Sequence, residues 1–139
     1  MKSYVFKLDE LHILADEIVK NFQNGVVVLR GDLACGKTTL VKEVVKKLGF
    51  DGDVTSPTFS LQQCYADNIF HYDIYNHGLE HFISLGMLEE LDKDGLHFVE
   101  WGDDELLDIL NSAGIDALKI DIEKISDQSR EYKVEYAHA

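Results

Sequence analysis

Hydrophobic positions in the first part of the chain follow two different spacings, one typical of strands and one typical of helices. Residues 26–29 form an unbroken apolar run with three β-branched side chains, which predicts a strand buried on both faces. Apolar residues at helical spacing precede this run, from a predicted cap at Asp9 to Phe22, and follow it over residues 38–48. Residues 4–8 predict a short edge strand. This alternation of strands and helices predicts an α/β fold.

The remainder of the chain continues the alternation and then changes to a period of two. The patterns predict strands at residues 61–65, 69–73 and 96–100, a turn at Asp67 and Asn68, and helical segments at 79–91 and 103–110. From Leu118 to Tyr136 apolar and charged residues alternate around a turn at 126–129, which predicts a half-exposed antiparallel hairpin. We therefore expect a single domain over residues 1–139. Its central sheet should be mixed but mostly parallel, with helices on its faces and a C-terminal antiparallel hairpin.

Composition and charge narrow the possible functions. The chain has 139 residues, of which 45% are hydrophobic and 28% charged, and its net charge is −13. Such an acidic chain cannot form the broad counterion-releasing contact typical of nucleic-acid-binding proteins. No signal peptide and no apolar run long enough to cross a membrane is apparent, so we expect a cytoplasmic protein without a membrane partner.

A glycine-rich segment follows the buried strand directly. Residues 31–38, GDLACGKT, match the pattern G-x-x-x-x-G-K-[ST] between a predicted strand and a predicted helix. Main-chain N–H groups from Leu33, Ala34, Cys35, Gly36 and Lys37 would face phosphates at the helix N-terminus. This context predicts a P-loop NTPase-like domain that binds a nucleotide. The alternative is a glycine turn before an ordinary helix.

Two side chains of the same segment carry the expected chemistry. The Lys37 ammonium would neutralise the β- and γ-phosphates, and the Thr38 hydroxyl would bind Mg²⁺.

Two acidic residues end predicted strands and could complete such a site. Asp73 ends the run IFHYD, and Glu100 ends LHFVE. Ligands of α/β sheets bind at the C-terminal edge, where both carboxylates would lie. One could hold magnesium-bound water and the other could orient the attacking water. Either acid alone is as readily explained as a solvated carboxylate at a strand end.

Arginine is scarce, which limits the rate expected for hydrolysis. The chain contains only Arg30, at the entrance of the glycine-rich segment, and Arg130, in the C-terminal hairpin. Phosphoryl-transfer enzymes gain large rate factors from an arginine aimed at the transferring group. We therefore expect slow hydrolysis by the isolated chain, with a partner completing the site. The same scarcity disfavours a small-molecule kinase, and no N-K-x-D motif supports a GTPase.

Cysteines and histidines do not predict a separate metal site. Cys35 and Cys64 lack metal-type or redox-type spacing. His71, His77 and His81 are interpreted as scattered surface histidines.

Four motifs occur along nearly the whole chain: GDLACGKTT, TSPTFSL from Thr55, HYDIY from His71 and VEWGD from Val99. Their order and spacing resemble those of the TsaE (YjeE) family. The resemblance implies a bacterial P-loop ATPase needed to make threonylcarbamoyladenosine in tRNA. It implies ATP and Mg²⁺ as cofactors and a TsaB–TsaD complex as the partner that ATP hydrolysis resets. Contact with tRNA would be indirect or through a small local patch.

The resemblance also implies roles for individual residues. Lys37, Thr38 and Thr39 would serve phosphate and Mg²⁺, and Asp73 and Glu100 would be the functional acids. A switch-like loop would contain Thr55, Ser56 and Thr58. Trp101 would line the pocket or contact a partner.

One departure from the family pattern lies in the glycine-rich segment. The family usually has Gly-Ala where this chain has Ala34 and Cys35. If that position needs a positive φ, Ala34 costs on the order of 1 kcal/mol, so nucleotide affinity is the property most affected. Two other functions remain open: a small-molecule kinase, and a nucleotide-dependent assembly module without turnover.

Overall fold

The computed structural model describes residues 1–32, 35–55, 57, 62–66, 68–75 and 78–137. The strands are β1 (Lys2–Lys7), β2 (Gly25–Arg30), β3 (Gln62–Ala66), β4 (Ile69–Asp73), β5 (Leu96–Glu100), β6 (Ala117–Lys124) and β7 (Ser129–Ala137). The helices are α1 (Leu11–Asn21), α2 (Lys37–Lys47), α3 (Gly78–Ser84), α4 (Met87–Leu91) and α5 (Asp104–Ser112). In the described part of the chain, no helix is long and apolar enough to cross a membrane.

All the strands belong to one sheet, in the order β1-β7-β6-β2-β5-β4-β3. The four central strands β6, β2, β5 and β4 pair in parallel, and β3 and β7 run against their neighbours. β1 runs against β7 and thus along the central strands. The predicted α/β fold, with a mixed, mostly parallel sheet flanked by helices, is confirmed.

Each face of the sheet is covered by its own group of helices. Val27 and Leu29 of β2 pack with the buried side chains of α1 and α2, and we call this side the α1/α2 face. Val26 and Val28 pack on the opposite side with α3, α4 and α5, which we call the α3–α5 face. All four of these β2 residues are fully buried, as the continuous apolar run predicted. β2 therefore brings its C-terminal end to the middle of the sheet, with packed side chains on both faces.

Local structure differs from the sequence predictions at two helices. The predicted cap at Asp9 is wrong, because Leu8–Glu10 form a 3-10 turn before α1 and Glu10 accepts the Lys7 N–H at 2.9 Å. The helical segment predicted at 79–91 is two helices. Gly86 separates them with φ 77°, a conformation that glycine adopts at little cost.

The C-terminal hairpin has the predicted alternation but a larger role than expected. Leu118, Ile120 and Ile122 are buried, and Tyr132 and Val134 lie opposite in β7. β6 also pairs with β2 in parallel, so the hairpin extends the central sheet. Leu61 and Asp67, which entered the predictions for β3 and its turn, lie outside the described residues.

Candidate functional site

The glycine-rich segment connects the end of β2 to the first residue of α2. Gly31 has φ 149°, and a Cβ there would lie 2.6 Å from both Cys35 Sγ and the Ile122 carbonyl oxygen. Only glycine therefore allows the chain to leave β2 this close to β6. Leu33 and Ala34 lie outside the described residues, so their predicted phosphate contacts and the Ala34 departure stay predictions.

Lys37, the first residue of α2, places its ammonium group beside the start of the segment. Its Nζ donates hydrogen bonds to the carbonyl oxygens of Gly31 (2.8 Å) and Asp32 (3.0 Å). Nζ also lies 4.0 Å from the centre of the Trp101 ring, a favourable cation–π geometry. The residue is only 4% exposed. A buried positive charge is thus held next to the N-terminus of a helix, where anions are stabilised.

Thr38 and Glu100 meet at the same place from different parts of the sheet. The Thr38 hydroxyl donates a 2.8 Å hydrogen bond to Glu100 Oε2, and Glu100 is 3% exposed at the end of β5. A hydroxyl and a carboxylate are ligands that Mg²⁺ accepts, and this ion usually keeps several waters and takes one or two protein ligands. The described residues contain no group of three or more His, Cys, Asp or Glu side chains placed to hold a metal. The Thr38–Glu100 pair fits Mg²⁺ bound jointly by protein, phosphate and water, but it does not fit an all-protein metal site.

Asp73 lies beside Glu100 at the same edge of the sheet. The two residues are register partners in the parallel pair β4–β5, so their side chains share the α1/α2 face. Asp73 Oδ1 accepts a hydrogen bond from the Tyr75 N–H at 2.9 Å. The structure therefore brings both predicted acids together, with Glu100 in direct contact with the residue after Lys37.

His71 is a site residue that the sequence interpretation missed. It is fully buried in β4, so its assignment to the surface is wrong. Its Nε2 lies 2.5 Å from Glu100 Oε2, and its Nδ1 lies 2.6 Å from the Tyr65 hydroxyl. The spacing H-x-D within a strand contained the signal, because residues two apart on a strand share a face. His81 is exposed as expected, and His77 lies outside the described residues.

Trp101 follows Glu100 in an unusual backbone conformation. It is the one non-glycine among the described residues with positive φ, at 71°. Its N–H donates to the Leu29 carbonyl at 2.9 Å, and its ring lies 4.5 Å from that of Tyr75 and beside Lys37. Positive φ at a bulky residue costs on the order of 1 kcal/mol or more, which points to a functional constraint. The half-buried ring packs against the Lys37 ammonium, whereas its predicted roles in lining the pocket or contacting a partner stay predictions.

The two arginines are both engaged by groups of the protein. Arg30 donates to Asp104 at 2.6 Å and to Asp121 at 2.7 Å. The hydrogen bond and the charge of Arg30 lower the pKa of the Asp104 carboxyl. Arg130 reaches across from β7 and donates to the Cys35 carbonyl at 3.1 Å. Arg130 thus supports the main chain of the glycine-rich segment, a contact that the sequence did not reveal.

A cavity of about 790 Å³ opens beside the N-terminus of α2. Its lining includes Lys7, Cys35, Gly36, Thr39, Arg130 and Tyr132. This volume lies within the range of small-molecule sites, roughly 300–1,000 Å³. Thr39, predicted to serve phosphate, is exposed at its wall.

The predicted switch-like loop is described only in part. The Thr55 carbonyl lies 3.2 Å from the Tyr65 hydroxyl, and Pro57 is buried. Ser56 and Thr58 lie outside the described residues, so their predicted role stays a prediction.

A solved structure with a similar fold is that of YdiB from Bacillus subtilis. The two chains are 25% identical and superpose with a TM-score of 0.66 over 99% of this chain and 87% of the other. The similarity therefore includes the sheet edge on which the candidate site lies.

Curated relatives carry the name tRNA threonylcarbamoyladenosine biosynthesis protein TsaE. The Treponema pallidum protein is 39% identical over 84 residues, covering 58% of this chain and 62% of that protein. The Haemophilus influenzae protein is 33% identical over 82 residues, covering 56% and 52%. The chain thus spans about six tenths or less of the length of these two relatives.

The family-level comparison covers more of the chain than the alignments with these two relatives. The sequence model described as "Threonylcarbamoyl adenosine biosynthesis protein TsaE" matches residues 6–132, which include every part of the candidate site. The chain therefore belongs to the TsaE family.

Proposed function

We propose that this chain is a Mg²⁺-dependent ATPase that hydrolyses ATP slowly alone and serves threonylcarbamoyladenosine modification of tRNA through a TsaB–TsaD complex. The observation that carries the proposal is the 2.8 Å hydrogen bond between Thr38 and the buried Glu100 carboxylate, next to the ammonium of Lys37. A buried lysine at a helix N-terminus can hold a nucleotide's terminal phosphates, and a hydroxyl with a carboxylate can hold the Mg²⁺ that accompanies them.

Nucleotide binding follows from the charges and space around the glycine-rich segment. Lys37 would exchange its main-chain contacts at Gly31 and Asp32 for phosphate oxygens, gaining charge-assisted hydrogen bonds. The 790 Å³ cavity beside Gly36 and Thr39 offers space for the remainder of the nucleotide. ATP is preferred over GTP because no guanine-binding motif is present in the sequence.

Hydrolysis requires groups that neutralise charge and orient water. Bound Mg²⁺ would supply charge neutralisation at the phosphates, with Thr38 and Glu100 as the residues that hold it. Asp73, the register partner of Glu100, lies at the same edge of the sheet. Its carboxylate would orient the attacking water or receive a proton from it. Burial of Glu100 keeps this carboxylate away from bulk solvent, where its effect on the reaction would be screened.

The site lacks an arginine available for the transferring phosphoryl group. Arg30 is paired with Asp104 and Asp121, and Arg130 bonds to main-chain carbonyls. The chain contains no other arginine. Slow hydrolysis by the isolated chain and completion by a partner follow from this arrangement.

Contact with tRNA is expected to be made mainly by the partner complex. The net charge of −13 disfavours broad contact with a polyanion. The family's name supports a role in tRNA modification. In our proposal, an ATP-driven cycle on the TsaB–TsaD complex joins that role to the candidate site.

Substitution of Glu100 provides the test. E100Q should lower phosphate release by about 100-fold or more, because it removes the charged carboxylate that holds the metal and water, while nucleotide binding persists. D73N should show a smaller loss, and E105Q, which changes an exposed acid of α5, is the control. Phosphate release should be measured with and without the TsaB–TsaD complex, which should stimulate the wild type.

Two results would contradict the proposal. Unchanged slow release by E100Q would indicate a nucleotide-dependent assembly module without catalysis. Stimulation by a small-molecule acceptor, with none by the complex, would indicate a kinase.

A further inference from the structure

We propose that His71 and Tyr65 are positioning residues that fix the Glu100 carboxylate and tie it to the main chain at Thr55. This inference rests on the proposed function, because it assigns a role to Glu100 in the nucleotide site. The hydrogen bonds run from Glu100 Oε2 to His71 Nε2 at 2.5 Å, from His71 Nδ1 to the Tyr65 hydroxyl at 2.6 Å, and from that hydroxyl to the Thr55 carbonyl at 3.2 Å.

The chemistry of the groups sets the direction of the hydrogen bond between His71 and an ionised Glu100. An ionised Glu100 carboxylate only accepts, so His71 Nε2 carries the proton and donates it. The Tyr65 hydroxyl has one proton, which it shares between His71 Nδ1 and the Thr55 carbonyl. Burial and the nearby Glu100 charge raise the pKa of Tyr65 to about 12, so its hydroxyl keeps the proton that it donates.

The Tyr65 hydroxyl connects these hydrogen bonds to the part of the protein that follows α2. It has one proton and faces two acceptors besides His71, the Thr55 carbonyl and Gln63 Oε1 at 3.0 Å. His71 and Thr55 therefore contact the same oxygen of Tyr65, and removal of the hydroxyl removes both contacts. Thr55 lies between α2 and β3, so this contact ties the Glu100 side chain to the connection between these two elements.

Position on the sheet distinguishes this arrangement from ordinary core packing. Glu100 Oε2 accepts from both Thr38 and His71, so His71 holds the same oxygen that meets α2. His71 is fully buried and cannot exchange this partner for water. A Tyr–His pair that only filled the core would not need to end on the carboxylate of the candidate site.

The opposite face of the sheet supplies a matched control. Tyr72 and His97 form a second buried pair, with Tyr72 Oη 2.7 Å from His97 Nδ1. His97 Nε2 lies 2.8 Å from the Lys93 carbonyl, before β5 and away from the glycine-rich segment. Tyr72→Phe therefore removes a hydroxyl from the same chemical setting without touching Glu100.

The experiment compares Tyr65→Phe with Tyr72→Phe in two measurements. The first is amide hydrogen exchange of the nucleotide-free protein over the peptide that contains Thr55. The second is binding and turnover of ATP as Mg²⁺ is varied, using a fluorescent ATP analogue for affinity and phosphate release for rate. Tyr65→Phe keeps the ring that packs 5.2 Å from Phe50, so loss of the hydroxyl is the main change.

Tyr65→Phe should accelerate exchange at Thr55 and raise the Mg²⁺ concentration for half-maximal binding by about threefold to tenfold, the range of one ordinary hydrogen bond. Its kcat should fall by a similar factor with KM unchanged. Tyr72→Phe should lower thermal stability yet leave all three quantities unchanged. His71→Gln, whose amide can reach the Nε2 position, should retain more Mg²⁺ affinity than His71→Asn.

The outcomes separate this inference from the proposed function. If the wild type binds ATP but Tyr65→Phe and Tyr72→Phe behave alike in exchange, Mg²⁺ dependence and kcat, the positioning role is wrong and the proposed function stands. If the wild type binds no nucleotide, the proposed function fails. If the wild type binds no nucleotide, faster amide exchange at Thr55 in Tyr65→Phe than in Tyr72→Phe would still support the contact with Thr55. Equal exchange in the two variants would overturn that contact.

Discussion

The two faces of the sheet bury polar groups in different ways. On the α1/α2 face, Lys37, His71 and Glu100 converge at the C-terminal edge, where the glycine-rich segment enters α2. On the α3–α5 face, Tyr72 and His97 satisfy each other and a nearby main-chain carbonyl. Both arrangements leave no buried side-chain N or O without a partner among the described residues. Satisfied hydrogen bonds alone therefore do not identify a functional site.

Charge provides the difference between the faces. The α1/α2 face holds a buried lysine and a buried carboxylate, which are costly unless paired or used. On the other face, burial lowers the pKa of His97 and raises that of Tyr72, so both stay neutral. A protein keeps buried charges where chemistry needs them, which supports the α1/α2 face as the functional one.

Phe82→Ala offers the largest expected effect and tests whether the α3–α5 face is purely structural. Phe82 is fully buried and packs edge-on against Tyr72 at 5.7 Å. Its removal should lower the free energy of unfolding by about 3–5 kcal/mol, measured by urea denaturation. ATP affinity, measured at a temperature where the variant is folded, should stay within about twofold of the wild type. A much weaker affinity would remove the distinction between the faces.

Lys37→Ala tests the other face directly. Loss of its charge-assisted contacts with phosphate should weaken ATP binding on the order of 100-fold, measured by titration with a fluorescent analogue. Lys46→Ala, an exposed lysine on the same helix, is the control. Equal losses of ATP affinity in the two variants would indicate that the positive charge of α2 as a whole attracts the nucleotide, without a specific contact by Lys37.

Arg130→Ala tests whether the C-terminal hairpin supports the sheet edge that carries the candidate site. Arg130 donates to the carbonyls of Cys35, Ser126 and Ser129, so its loss should cost about 1–2 kcal/mol of stability in urea denaturation. ATP affinity should fall less than for Lys37→Ala. Lys133→Ala, on the same strand, serves as the control. Lower stability with unchanged affinity would assign Arg130 to the hairpin alone.

The pH dependence of stability should report on the buried Tyr72–His97 pair of the α3–α5 face. Because burial lowers the folded-state pKa of His97, the unfolded chain binds the proton more readily. The stabilising contribution is therefore complete above the ordinary histidine pKa of about 6.5 and is lost as the pH falls below it toward the lower folded value.

His97→Gln should reduce the loss of unfolding free energy between about pH 7 and 5, by at most about 1.4 kcal/mol per pH unit. Urea denaturation at several pH values measures this slope. An identical slope in both proteins would show that acid acts through another group.

The sequence alone located the parts of the site that depend on neighbouring residues. β4 and β5 have their predicted bounds, so Asp73 and Glu100 were correctly placed at strand ends. The glycine-rich pattern correctly predicted that a helix begins at or beside Lys37. These features follow from local periodicity and from the few residue types that a turn or a strand end accepts.

Contacts between distant residues were decided by the tertiary structure. Thr38 and Glu100 are 62 residues apart, His71 and Glu100 are 29 apart, and Arg130 and Cys35 are 95 apart. The pairing of β6 with β2 likewise joins segments that no local pattern relates. Local periodicity states which face of an element is buried, but the neighbour that buries it depends on strand order and register. Those are fixed only when the whole sheet closes around a common core.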